Sequence, residues 1–290
     1  GLGYEDIKKL NPKIIYCSVS GFGQTGPYRA KAGFDQVLQG YGGLMGLTGE
    51  ADGLPLKVGI AVTDIAAGMF AIIGILAALY HRERTGDGQY IDCSMLDSQV
   101  SWLTYQAGRY LVSGKIPERF GSAHPLIVPY QVFKTSDGYI NIAAGNDNLW
   151  RKFCAAAGLQ SYADDPRFAT NPKRVENRSE VVAIIAPVIE ARTMNEWIEL
   201  LDGAGIPCGP IYTVDQVLAD PQVIAREMLV DIEHPVCGKI TVLGHPLKFS
   251  ETPAEVTLPP PTLGQHNVEV LQQLGYGSRE IEEMKKEKVF

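Results

Sequence analysis

Residues 59–70, GIAVTDIAAGMF, place one carboxylate, Asp64, at the head of an otherwise apolar run. Two roles suit an aspartate in that setting. As a helix cap, Thr63 or Asp64 would accept hydrogen bonds from the first free amides and meet the positive end of the helix dipole, together worth about 1 kcal/mol. As a nucleophile, a carboxylate held buried at the helix start would attack an activated carbonyl and split one hard transfer into easier steps. The two roles are compatible. Asp35, in AGFDQVLQG, is a second acid, set where a tight glycine-rich backbone could bring it close to a ligand, although an ordinary turn residue reads the same way. Asp97, in SMLDSQV, fits a helix start or a surface position.

The loop GFGQTGPYRAK combines exposed backbone amides with Arg29 and Lys31, a chemistry suited to phosphate. It has neither GxGxxG nor GxxxxGK[ST] spacing, so a solvated turn is the competing reading. His124, in GSAHPLIVPY, precedes a strand beside an inferred domain boundary, where clefts form, but a single histidine is more often structural. The other histidines lack metal-ligand spacing, and no Gly-x-Ser-x-Gly elbow or catalytic cysteine context is present, so no metal site is expected.

These residues need elements to position them. Tyr4 to Leu10 reads as a helix end stopped by Asn11-Pro12, Ile14 to Val19 as a strand, and Phe34 to Leu47 as a glycine-rich helix. Asp64 to Arg84 is a helix ended by TGDG, Gln89 to Met95 a strand, and Leu96 to Val112 a helix. This α/β rhythm predicts a parallel sheet in a large domain over residues 1–112. After a polar linker, 113–122, the pattern changes. VPYQVFKTSDGYINIAA alternates on both sides of Asp137-Gly138, a hairpin signal that requires antiparallel strands. A smaller α+β domain is expected over 123–222, with helices near 146–157, 176–190 and 193–203, the last opened by a capping box at Thr193 and Glu196. Residues 223–290 read as a second linker and a return to the large domain.

Bulk composition sets the outer limits. The 290 residues are 45% hydrophobic and 20% charged, ordinary for a globular chain, and the net charge of −7 gives no basic footprint for nucleic acid. Five cysteines, no two closer than 29 residues, argue for a reducing compartment such as the cytoplasm, with the mitochondrial matrix as the eukaryotic equivalent. The apolar run Ile65–Tyr80 has 16 residues, short of the roughly 18 to 20 that span a bilayer, and is expected to be a buried core helix rather than a membrane segment.

GFGQTGP, AGFDQVLQGYGGLMGLTGE, GIAVTDIAAG and LAALYHRERTGDGQYIDCSMLDS, in that order and spacing, resemble the family III coenzyme A transferases. HPLIVPYQVFKTSDGYINIAAGN, GIPCGPI and PPPTLGQH resemble the succinyl-CoA:glutarate branch of that family. The resemblance implies a Rossmann-like large domain, an interlocked homodimer, and acyl-CoA and a small carboxylic acid as substrates, with CoA carried as thioester and no metal. It also implies that the family's chains have a further segment before the equivalent of Gly1, so the large domain here is expected to be N-terminally incomplete. A non-catalytic CoA-binding or dimerisation remnant is therefore a second expectation.

Residue by residue, the resemblance puts the nucleophile on Asp64, with an aspartyl anhydride and an aspartyl-CoA thioester as intermediates. Asp35 takes a positioning role. Phe34 stands where related transferases have a tyrosine near CoA and where the α-methylacyl-CoA racemases of the family carry a catalytic histidine. A racemase reading thus loses one of its two acid/base groups. Arg29 and Lys31 are the expected CoA phosphate contacts. The family's glycine-rich lid is replaced by Gly121–Pro129, which suggests that His124 and Tyr130 shield the intermediates.

Overall fold

The computed structural model describes all 290 residues, which divide into two compact units, Gly1–Pro210 and Ile211–Phe290. The first unit opens with α1 (Tyr4–Leu10), β1 (Tyr16–Ser20), α2 (Asp35–Tyr41), α3 (Val62–Thr85), β2 (Tyr90–Ser94), α4 (Met95–Ser101) and α5 (Thr104–Ser113). β1 and β2 pair in parallel, with Tyr16 opposite Tyr90 and Ser20 opposite Ser94. A parallel pair demands a long crossover, which the 21–34 loop, α2 and α3 supply. The sequence-predicted α/β order and parallel pairing are therefore present.

Small side chains let α3 sit close to this sheet. Its buried residues are Thr63, Ala66, Ala67, Ala71 and Ala78, and it stops at Gly86, whose left-handed φ of 86° closes the last turn. Ala67 and Ala71 join Phe22, Leu38, Cys93 and Met95 in one core cluster. The expectation of a buried helix is corrected: Ile65, Met69, Ile72, Ile73, Leu76 and Tyr80 are 47% to 65% exposed. The helix is apolar all round, but α2, α4 and the sheet cover only its small-residue side. The helix expected over Asp64–Arg84 starts two residues earlier and ends one later, and its 24 residues, at a mean hydropathy of 2.1, make it the one helix long and apolar enough to cross a membrane. Its packing on β1 and β2 is that of a layer in an α/β fold.

Two other helices are shorter than their sequence patterns. The run expected from Phe34 to Leu47 ends at Tyr41, where Gly42 and Gly43 turn the chain. The helix expected over Leu96–Val112 is broken into α4 and α5 at Trp102-Leu103, and Thr104 takes a φ of 42°, which β-branched residues avoid.

The rest of the first unit is β3 (Tyr130–Lys134), β4 (Tyr139–Ala143), α6 (Asp147–Ala156), α7 (Asn171–Glu176), α8 (Arg178–Glu190), α9 (Met194–Gly203) and β5 (Cys208–Pro210). The three strands form one antiparallel sheet, β3–β4–β5, with the Asp137-Gly138 hairpin as expected. The capping box at Thr193 and Glu196 is present too. Phe133, Ile140, Ile142, Trp150, Phe153, Phe168, Ile185, Trp197 and Leu201 fill a second core between sheet and helices. All five cysteines are free thiols, and burial pushes Cys154 up to about 12, where it is inert.

One charge is buried in that core. Arg174, fully buried, donates to the carbonyls of Val128 and Phe168 at 2.7 Å each and to Asp147 Oδ1 at 3.0 Å. The bonds tie α7 to the segment entering β3. The second unit holds α10 (Val214–Leu218), α11 (Pro221–Ala225), the antiparallel pair β6 (Leu229–His234) and β7 (Gly238–Leu243), α12 (Asn267–Gln273) and the charged α13 (Ser278–Lys286).

Arg174→Met keeps the volume but strands two buried carbonyls and half of an ion pair. It is expected to lower the unfolding free energy by about 3 kcal/mol, read as a lower urea midpoint at an unchanged m value.

Candidate active site

The candidate nucleophile stands at the start of α3. Asp64 is the third residue of the helix and is exposed. Neither it nor Thr63 caps the helix: no side-chain cap bond is made from the N-cap, Ala61. The capping acceptor comes from another helix. Asp35, at the first position of α2, accepts the Thr63 amide on Oδ1 at 2.9 Å and the Gln39 amide on Oδ2 at 2.7 Å. This corrects both sequence expectations for Asp64, that it is buried and that it caps. Its carboxylate is left unengaged because Asp35 performs the capping.

Three buried polar side chains fix that arrangement. Gln39, one turn after Asp35, also accepts the Val58 amide at 2.9 Å and so holds the segment that leads into α3. Thr63 donates its hydroxyl to Gln99 on α4 at 3.3 Å, and Gln99 Nε2 has no partner. Gln39, Thr63 and Gln99 are each fully buried. These bonds tie α2, α3 and α4 to one another, and the unpartnered Gln99 amide nitrogen is the cost of burying them there.

The 21–34 loop presents the other candidates of this region. Its two ends touch, since a Cβ on Gly21 would lie 3.1 Å from Gly33 Cα, and glycine at both positions permits the approach. Phe22, Tyr28 and Tyr41 pack edge to face at 5.2 to 6.0 Å. Lys31 Nζ lies 4.0 Å above the Tyr28 ring and donates to the Tyr41 hydroxyl at 3.2 Å. Phe34 is 79% exposed and shares a shallow groove of about 740 Å³ with Tyr41, Val37 and Met45. Lys31 and Phe34 thus gather around one tyrosine, while Arg29 is exposed nearby with its guanidinium unpaired.

His124 and Tyr130 form a separate cluster, with no contact to Asp64. The imidazole stacks with Tyr105, at 5.5 Å, and with Tyr130, at 5.3 Å. Its Nδ1 accepts the Leu126 amide at 3.1 Å. Burial, and then the charges of Arg178 and Arg109, hold the imidazole below the ordinary histidine pKa. Arg178 donates through Nη2 to the carbonyls of His124 and Pro125 at 2.9 and 3.0 Å, which staples the loop to α8.

Sequence reading missed Gln39, Gln99, Tyr105, Arg109 and Arg178. The Asp35–Gln39 pair had a visible signal, four residues apart on one helix. Arg178 reaches His124 across 54 residues, and no local pattern announces that contact.

Comparison with known proteins converges on one family. The model of CoA-transferase family III matches residues 1–267. The human succinyl-CoA:glutarate CoA-transferase is 42% identical over 285 residues, covering 98% of this chain and 65% of the relative. The succinate–glutarate CoA-transferase of Agrobacterium fabrum is 44% identical over 274 residues, covering 94% and 68%. The crystal structure of a CaiB/BaiF family protein from Brucella suis superposes with a TM-score of 0.82 at 42% identity, over 94% of this chain and 71% of the other. The chain spans about two thirds of the length of these relatives. With an α/β crossover that presents an unengaged aspartate, and with these matches over nearly all its residues, the chain belongs to CoA-transferase family III.

Proposed function

We propose that the protein transfers CoA from an acyl-CoA donor to a small, dicarboxylic acid, with Asp64 as the covalent carrier. The observation that carries this reading is the exposed, unengaged Asp64 carboxylate in a helix start capped by a different acid. The names of the relatives support succinyl-CoA and glutarate as the substrate class.

The chemistry follows from a carboxylate meeting a thioester. Asp64 attacks the donor carbonyl, a C–O bond forms, the C–S bond breaks, and CoA thiolate leaves a mixed aspartyl anhydride. The thiolate then attacks the Asp64 carbonyl and releases the donor acid, giving an aspartyl-CoA thioester. The acceptor carboxylate displaces the thiolate to form a second anhydride, and the thiolate returns to the acceptor carbonyl, freeing Asp64 and the new acyl-CoA. Each step exchanges one activated acyl bond for another, so that one hard transfer is split into several easier ones, the general benefit of covalent catalysis. Asp35 acts as a positioning residue, since it holds the helix start on which Asp64 rides.

CoA phosphates need local positive charge on an acidic protein. Lys31, tethered on Tyr28 and Tyr41, and the free Arg29 supply it, and Phe34 offers an apolar contact beside them. Phe34 has no titratable group, so it gives racemisation no support. The exposed apolar stripe of α3 favours assembly, here as a homodimer. His124 and Tyr130 serve as a short lid in place of a glycine-rich one. Five free thiols suit the cytoplasm or the mitochondrial matrix.

Incubation with succinyl-CoA followed by hydroxylamine tests the assignment, because hydroxylamine converts an activated aspartyl acyl group into a hydroxamate and leaves a free carboxylate alone. A hydroxamate on the peptide containing Asp64, absent in Asp64→Ala, is expected by mass spectrometry; an unmodified Asp64 contradicts the reading. Asp35→Ala should retain the hydroxamate but lower kcat by about a hundredfold with little change in KM, the cost of misplacing an otherwise intact nucleophile.

His124 yields a prediction for pH. Its folded pKa lies below the ordinary value, so between the two values the unfolded chain binds more protons and stability rises with pH. Thermal melts from about pH 5 to 7 should show a shallower rise in His124→Gln than in the wild type.

A further inference from the structure

Two tyrosines from different elements hold Lys31. Its amide donates to the Tyr28 carbonyl at 2.8 Å, a local turn that lays the ammonium 4.0 Å above the centre of the Tyr28 ring. Tyr41, ten residues on at the end of α2, accepts a hydrogen bond from Lys31 Nζ on its hydroxyl at 3.2 Å, with its ring centre 5.4 Å from the charge. The Tyr41 ring is itself anchored. It meets Phe22 edge to face at 5.2 Å, and Phe22 belongs to the core cluster that includes Ala67 and Ala71 of α3. Both tyrosines are exposed, so the cation is held at the surface, where a ligand can reach it.

A lysine that meets a phosphate from free solution loses the freedom of four side-chain torsions, and that loss weakens the contact. Lys31 has given up part of this freedom before any ligand arrives, because a ring face and a hydroxyl already restrict the ammonium. The tether leaves its chemistry intact. A phenol hydroxyl accepts without bringing a negative charge, and it uses one of three N–H donors, so two remain for phosphate oxygens. The seven residues of α2 have a second duty at their other end, where Asp35 accepts the Thr63 amide beside the candidate nucleophile. One short helix thus fixes a cation through its last residue and the start of α3 through its first.

We propose that Tyr41 is a positioning residue for coenzyme A: its hydroxyl holds Lys31 in the orientation that meets a CoA phosphate. The proposal rests on the transferase reading, in which Lys31 contacts CoA, and adds the residue through which that contact is preorganised.

Tyr41→Phe keeps the ring, and with it the edge contact to Phe22, and removes only the hydroxyl. Lys31→Met removes the charge at nearly constant length. Calorimetric titration of the purified protein with CoA, which needs no turnover, should show binding about fivefold weaker in Tyr41→Phe, the loss of one exposed hydrogen bond to a charged group. In the Lys31→Met background, adding Tyr41→Phe should cost nothing more, since the hydroxyl acts through the ammonium. With glutarate as acceptor, the ratio of kcat/KM for succinyl-CoA over succinyl-pantetheine, which carries no phosphate, should fall by a similar factor in Tyr41→Phe, through KM rather than kcat. Circular dichroism melts confirm that the variants fold. CoA binding that Tyr41→Phe leaves unchanged, a loss that persists in the Lys31→Met background, or a loss shared equally by the two thioesters overturns the proposal. Wild-type protein that binds no CoA sinks the transferase reading itself, whereas CoA binding and an Asp64 hydroxamate with no response to Tyr41→Phe sink this proposal alone.

Discussion

The hydrogen bond from the Thr63 amide to Asp35 is the contact on which the rest of the site depends. A helix start has free amides that must find acceptors, and the nearest acid usually supplies one. Were Asp64 to serve its own helix, its carboxylate would be turned back onto the backbone and a lone pair spent there. Asp35 removes that demand from a different helix. Gln39 and Gln99 then hold Asp35 and Thr63 in register, so one reactive group stays free on a rigid element.

The same economy explains why so much polar material is buried in a small layer. Gln39, Thr63 and Gln99 each surrender hydration to fix a geometry, and the Gln99 amide nitrogen does so without a partner. Unsatisfied buried donors are costly and uncommon. Here the cost falls beside the candidate nucleophile, at the junction of three helices, where a displacement of an ångström would matter most to a covalent carrier.

Much of this was legible in the residues. The alternation of period two around Asp137-Gly138, the capping box at Thr193 and the α/β order of the first third each rest on local chemistry, and each appears in the fold. The failures share a cause. The burial of α3 was inferred from its hydropathy, which reports how apolar a helix is and not how many sides its neighbours cover. The break at Thr104 has no glycine or proline to announce it. Asp64 was read as a cap because a local rule favours it, while the true acceptor lies 28 residues away from Thr63 in sequence. Long-range partners such as Arg178 for His124 follow the same pattern, since only the tertiary fold brings them together.

The claim that Asp64 carries the acyl group makes an atom-level demand that oxygen labelling meets directly. In a single turnover with succinyl-CoA and glutarate labelled with ¹⁸O in both carboxylates, the acceptor's attacking oxygen bridges the second anhydride and stays with the aspartate when the thiolate returns. The peptide containing Asp64 should therefore gain about 2 Da, one labelled oxygen, in the wild type. Glutaryl-CoA formed with no label entering Asp64 would contradict the account, because the acids would then have exchanged CoA without passing through this carboxylate.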